Sequence, residues 1–244
     1  MKNALSIAFV FLLWTVSAMG QAAVGTLQGV ATDVQGVPLP GAQVRYQRIF
    51  RPVIATNGQP VPAPGEAVVG GKISVDTGAA FLVPGLPPGD YLLCASVPSA
   101  AYLDPCQWAT PLRVTVSPNA LTTQSIALAK GVFLNVRVND PLGLLPQNQD
   151  GPMLGGKLAV GVNYANGAYA GAPNTGVDGT GRDYQRIVPV GIPLNLWLFS
   201  SDVALADASG KPVNSSGAMI PFQATAGQDQ VFTFAVSGAV ARSL

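Results

Sequence analysis

The sequence predicts an all-β protein made of tandem antiparallel β-sandwiches, and three observations predict it. Short Val/Leu/Ile runs recur between turn residues at regular spacing, the pattern of half-buried strands stacked sheet on sheet. Turn formers are abundant (28 Gly and 21 Pro) and helix formers scarce, Glu66 being the only glutamate. The same order of turn and strand signals then appears twice, about one hundred residues apart, a domain-sized offset.

The N-terminus reads as an export leader. Met1-Lys2-Asn3 supplies one positive charge, Ala4 to Val16 an apolar run, and Ala18 and Gly20 a small-x-small junction. The run falls short of the roughly 20 residues needed to cross a bilayer. No cysteine lies near the junction to take a lipid. Residues 1–20 are therefore read as a signal peptide cleaved after Gly20, with Ala22 or Ala23 as the alternative junction. The expected destination is the periplasm, the cell surface or the medium.

Loss of Lys2 brings the 13 basic residues of the full chain level with its 12 acidic ones. A net charge near zero gives no electrostatic reason to expect nucleic acid or an anionic membrane as partner. No later stretch reaches transmembrane length without a polar or proline interruption. The remaining chain is long enough for two ordinary domains, read as 21–129 and 130–244.

In the first domain a strand covers about Gly25 to Thr32, and Asp33-Val34-Gln35-Gly36 makes a turn, because Asp bonds nearby backbone and Gly accepts positive φ. Strand resumes over Ala42 to Ile49. Arg51 to Gly71 is rich in Pro and Gly with little periodicity and reads as a long loop. Lys72 to Val75 is a short strand, Asp76-Thr77-Gly78 a turn and Ala80 to Val83 another strand. Leu86-Pro87-Pro88-Gly89-Asp90 turns the chain into a strand from Tyr91 to Val97. On that strand Tyr91, Leu93 and Ala95 share one face, Leu92 and Cys94 the other. A loop holding Tyr102, Asp104, Cys106 and Trp108 follows, then strands over Leu112 to Val116 and Thr123 to Leu128. Cys94 and Cys106, an even pair close together in an exported chain, read as a structural disulfide that tethers this loop.

The second domain reads as a divergent copy. Gly131 opens a strand ending at Asp140-x-x-Gly143, as Gly25 opens one ending at Asp33-x-x-Gly36. Asp178-Gly179-Thr180-Gly181, Tyr184, Val188-Pro189 and the strand Leu194 to Phe199 answer Asp76-Thr77-Gly78, Phe81, Val83-Pro84 and the strand from Tyr91. Trp197, inside that apolar strand, reads as core.

Three blocks of the first domain together resemble the carboxypeptidase regulatory-like family. They are Gly29 to Gly36 with Pro38-Leu39-Pro40-Gly41-Ala42-Gln43-Val44; Asp76-Thr77-Gly78 with Phe81; and Gly85 to Leu93. The resemblance covers about Thr26 to Leu128. It implies a transthyretin-like, seven-stranded sandwich, sometimes grouped with carbohydrate-binding-like folds, serving as an accessory beside enzymes, receptors or surface proteins. Two departures bear on loop geometry: Ala79-Ala80 precedes Phe81 where the family carries a Gly-x-Phe turn, and the proline-rich segment follows Arg51.

Chemistry is mostly excluded. The chain has no histidine, so the commonest general base, the serine-triad partner and the usual zinc ligand are missing. No Gly-x-Ser-x-Gly, Ser-x-x-Lys or calcium-loop run occurs. Gly155-Gly156-Lys157-Leu158 lacks the hydroxyl of a phosphate loop. Carboxylate pairs for acid/base work reduce to Asp178 with Asp183, or Asp104 beside the cysteines, while Asp33, Asp76, Asp140 and Asp178 read as turn makers. Hard oxygens near Asn139 and Asp140 are the one place for an adventitious calcium ion. The reading is of a chain without enzyme activity, cofactor or resident metal.

Binding surfaces remain. Tyr102 and Trp108, flanking the cysteine loop, form a candidate platform for a sugar ring, set against simple packing of Trp108 over the disulfide and of Tyr102 over a sheet edge. Tyr164 and Tyr169, in a Gly/Asn-rich stretch read as loop, are the candidate exposed rings of the second domain. Arg45, Arg48 and Arg51 read as charges guarding an edge strand. Two functions are consistent with all this: a protein-interaction or structural module, or a carbohydrate-binding module using those aromatics. The partner is accordingly a protein or a polysaccharide.

Overall fold

A computed structural model describes residues 23–50, 52–63, 68–145, 158–164, 167–213 and 216–240. The leader, Arg51 and the glycine-lysine run at 155–157 lie outside the described residues. The described chain is β throughout, apart from one helical turn. Among these residues no helix is long and apolar enough to cross a membrane.

The first unit is built from β1 (Gly25–Asp33), β2 (Gln43–Arg48), β3 (Pro52–Ile54), β4 (Pro60–Pro62), β5 (Gly70–Ser74), β6 (Ala80–Leu86), β7 (Gly89–Ser96), the helical turn α1 (Pro105–Trp108), β8 (Leu112–Val116), β9 (Leu121–Thr123) and β10 (Ile126–Leu128). One sheet has the order β10-β1-β6, with β9 also on β1; the other runs β5-β2-β7-β8. Strands β9 and β10 continue one another along β1, in parallel, at Thr26–Gln28 and then Ala31–Asp33. Gly29 sits at the junction, where a Cβ would come 1.9 Å from the Gln124 carbonyl oxygen, so only glycine lets the two backbones approach.

Alternation dictates the core. In β7 the residues Tyr91, Leu93 and Ala95 are fully buried, and with Leu27, Phe81 and Ile126 they fill the space between the sheets. The Tyr91 hydroxyl donates to the Pro87 carbonyl at 2.7 Å, satisfying its one polar atom, and burial raises its pKa.

The second unit comprises β11 (Val132–Asn139), β12 (Ala159–Tyr164), β13 (Tyr169–Gly171), β14 (Asn174–Asp178), β15 (Gly181–Val188), β16 (Pro193–Phe199), β17 (Val203–Asp207), β18 (Pro212–Val213), β19 (Ser216–Gln223) and β20 (Gln230–Ala239). Its sheets run β14-β15-β11-β20-β17-β18 and β13-β12-β16-β19 around a separate core containing Leu134, Leu196, Leu198 and Leu205. The pairing repeats that of the first unit. Strands β1 and β11 each lie antiparallel to the strand after an aspartate turn (β6, β15) and parallel to the unit's last strand (β10, β20). The β5-β2-β7-β8 order matches β13-β12-β16-β19.

The aspartates make these turns as the sequence suggests. Asp33 Oδ1 accepts from the Gln35 and Val37 amides at 2.9 and 2.8 Å, and Asp140 accepts from Leu144 and Leu145 at 3.0 and 2.7 Å. Asn139 Oδ1 accepts from Arg137 Nε at 3.0 Å, so the oxygens considered for calcium are engaged within the chain. Asp76 Oδ1 accepts from Gly78 and Ala80, both at 2.8 Å, and holds Ala79 at φ 64° between them. An L-residue in that region is strained by about 1 kcal/mol. Asp76→Ala removes the acceptor of both bonds and is expected to destabilise the protein by about 1 kcal/mol in urea denaturation, with an unchanged slope.

Three expectations are corrected. Residues 51–71 are not wholly loop: β3 and β4 form a hairpin with Val53 opposite Val61, turning at Asn57 and Gly58, the latter at φ 77°. The Asn-Gly pair is a hairpin signal that the surrounding prolines obscured. Strand β2 is not an edge strand, since it pairs with both β5 and β7. Trp197 is not core: Leu194, Leu196 and Leu198 point inward, and the period of two puts Trp197 on the outer face, half-buried.

Candidate functional site

Of the aromatic and charged residues singled out in the sequence, Tyr102, Trp108, Tyr164, Arg45 and Asp104 meet at the segment between β7 and β8, where the first unit meets the second. Cys94 lies on the outer face of β7 and bonds Cys106, with Cα atoms 5.4 Å apart, folding the segment back over that face. The chain ladders onto the connection between units: Leu103 donates to the Ala129 carbonyl at 2.9 Å, Gly131 to that of Ala101 at 2.7 Å, and Tyr102 bridges Lys130.

Asp104 caps α1, accepting from the Cys106 amide at 3.0 Å, and Pro105 follows at the first helical position, where a missing N–H costs nothing. Asp104 is 6% exposed, and its second oxygen pairs with Arg45, the cross-strand neighbour of Cys94. Charge pairing and capping together explain how a carboxylate sits buried there.

Gln107 and Trp108 reach the second unit. The Gln107 amide oxygen accepts from Arg186 of β15, whose other terminal nitrogen donates to the Gly171 carbonyl at 2.9 Å. The Arg186 guanidinium lies 5.6 Å from the centre of the Trp108 ring. Tyr164 meets that ring edge-on, centroids 4.6 Å apart at 76°, and its hydroxyl donates to the Trp108 carbonyl at 3.1 Å. Burial pushes the Tyr164 phenol up to about 12 and pulls the Arg186 pKa down.

Of the four aromatics considered as binding residues, Trp108 and Tyr164 thus pack on each other, and Tyr102 packs against the first core at the seam. Tyr169 lies apart, edge-on to Trp197 at 5.2 Å, with its ring over Gly161, where a Cβ would come 2.3 Å from it. Tyr164 and Tyr169 end and begin strands of one hairpin rather than lying in a loop, and both are half-buried. Trp108 packs against the second core, not simply over the disulfide.

Arg45 and Arg48, read as edge guards, sit on a strand paired on both sides: the exposed Arg45 pairs with Asp104, and Arg48 donates to the Pro88 carbonyl at 2.9 Å. Sequence reasoning missed Gln107, Lys72 and Arg186. The Asp104-Pro105 pair, an N-cap followed by proline, is the signal that could have found α1 and its docking side chains.

The carboxylates weighed for acid/base chemistry are neutralised. Arg137 bridges Asp178 at 3.0 Å and Asp183 at 2.9 Å, and its guanidinium, with Thr180, holds the Asp178 carboxyl far below the usual range. Among the described residues, the one group of three possible metal ligands is Cys94, Cys106 and Asp104, whose two sulfurs are bonded to each other.

Neither a scan against family models nor a search of curated proteins gives a match. Among solved structures the chain is similar to the TIE protein of Bacillus anthracis, at 13% identity and a TM-score of 0.31 over 88% of this chain and 34% of that one. It is similar to a streptococcal ancillary pilin, at 15% identity and a TM-score of 0.39 over 88% and 62%. A DUF3823 family protein from Bacteroides uniformis aligns at 11% identity and a TM-score of 0.30 over 82% and 98%. The chain thus spans about a third of the first of these and under two thirds of the second.

Proposed function

We propose that the protein is an exported, non-catalytic pair of β-sandwiches that acts as a structural or protein-interaction module at the cell surface or in the periplasm. The observation that carries this reading is the seam. The disulfide-tethered segment, the place in the first unit richest in reactive and aromatic side chains, is engaged in joining one sandwich to the other through Trp108, Gln107 and their partners. Side chains used in this way make a fixed two-body spacer rather than a reactive cleft. The first unit's two packed four-stranded sheets and its aspartate turns support its resemblance to carboxypeptidase regulatory-like domains, which are themselves accessory modules. The disulfide supports an oxidising compartment, and with it cleavage of residues 1–20.

Fractionation of producing cells with N-terminal sequencing tests it. The expected product lies outside the cytoplasm, begins at Gln21 and contains no free thiol. A cytoplasmic chain retaining Met1 with reduced cysteines overturns the export half. Hydrolysis of ester, glycoside or peptide substrates that Asp178→Asn or Asp183→Asn abolishes overturns the non-catalytic half.

A second reading, binding of carbohydrate, is favoured by one observation, the solvent-open cleft at the seam that Tyr102 and Trp108 line.

A further inference from the structure

The cleft between the units measures about 350 Å³, at the small end of ligand pockets. Its charge is lopsided. Arg45, Lys72 and Arg186 line it against a single carboxylate, Asp104, in a chain whose overall net charge is only +1. Arg45 and Lys72 are cross-strand neighbours, an arrangement that repels and that sheet packing alone does not require. Asp104 answers Arg45, whose side chain is still 45% exposed, and Arg186 is engaged with Gln107 and Gly171. Lys72 is exposed, and its ammonium has no ion-pair or hydrogen-bond partner among the described residues. The rest of the lining includes aromatic rings, Tyr102 among them, the hydroxyls of Ser96 and Thr175, two glutamine amides and four aliphatic side chains.

We propose that this cleft binds an acidic saccharide, with its carboxylate at Lys72 and Arg45 and its ring against Tyr102. This rests on the carbohydrate reading above and narrows it to a class. A uronate needs a cation for its carboxylate, hydroxyl partners for its own hydroxyls and an aromatic face for its C–H surface, and the cleft lines up all three. An acidic peptide would engage the cations and leave the ring and hydroxyls without a role.

Calorimetric titration of the oxidised, leader-free chain with digalacturonate tests this, beside its neutral methyl ester, sodium sulfate and a Glu-Glu dipeptide. Digalacturonate is expected to bind, more weakly as salt rises, and the methyl ester to bind at least about tenfold more weakly. Lys72→Glu, at an exposed position, should keep the melting temperature and weaken digalacturonate about tenfold, while Lys211→Glu, outside the cleft lining, changes nothing. Equal binding of acid and ester sinks the acidic class but leaves the carbohydrate reading standing. Binding of neither sinks both. Sulfate or dipeptide binding as tightly as digalacturonate removes the ring's role, and with it the saccharide.

Discussion

A Cys94→Ser/Cys106→Ser double variant is expected to lose about 3 kcal/mol of stability, and the loss should reach beyond the first unit. The bridge closes a short loop, with a sequence separation of 12, so its removal restores chain entropy to the unfolded state on that scale. The structural consequence is larger than the entropy alone. The helical turn it fixes has four residues, far too few to persist unsupported. When α1 loosens, Asp104 no longer meets Arg45 in a fixed place, and Gln107 and Trp108 leave Arg186 and Tyr164. The expected result is two separated unfolding transitions in place of coupled ones, and new protease cleavage within residues 99–110. Wild-type protein under a thiol reductant should behave in the same way. A reduced protein that melts as the oxidised one does, with that segment still protected, contradicts the assignment of the disulfide as the clamp of the seam.

What the sequence made legible was what local chemistry determines. The Asp-x-x-Gly turns are readable because one carboxylate satisfies the backbone amides just after it whatever the rest of the chain does. The inward face of β7 is readable because alternation is a property of the strand itself. Trp197 shows where this stops. Its strand is apolar on both faces, and only the positions of Tyr169 and Phe199 reveal that an aromatic row covers the outer one. Residue type alone could not separate the two faces.

The seam was less legible for a related reason. Trp108 and Tyr164 were each visible as candidate rings, but their meeting depends on how one sandwich docks on another, which no local pattern encodes. Arg186 carries no signal at all in sequence. It is one arginine in a strand, and its role comes from the tryptophan brought 5.6 Å away by the Cys94–Cys106 bridge. The parallel closing strands β10 and β20 escaped for the same cause, since pairing direction follows from the path between sheets.

Trp108→Ala probes that docking directly and is expected to cost about 3 kcal/mol, at the low end for truncating a tryptophan because the ring is half-buried. Three contributions leave together: the edge contact with Tyr164, the face under Arg186, and apolar area packed on the second core. The disulfide and α1 stay, so this variant separates the clamp from what it holds. The titration of Tyr164 supplies an independent reading. Burial favours the neutral phenol, so its folded pKa, about 12, stands above the ordinary value of 10.0. Below pH 10 both folded and unfolded chains keep that proton and the group adds no pH dependence. Between 10 and 12 the unfolded chain ionises first, and stability falls as pH rises. With Trp108 removed, water reaches the phenol, its pKa drops back towards 10, and that alkaline loss shrinks. Absorbance at the tyrosinate band, with Tyr164→Phe assigning the transition, reads the shift. If Trp108→Ala leaves both this titration and the coupled melting unchanged, the two rings do not hold the units together, and the sandwiches must be joined by the Gln107–Arg186 contact and the backbone ladder around Tyr102 and Lys130.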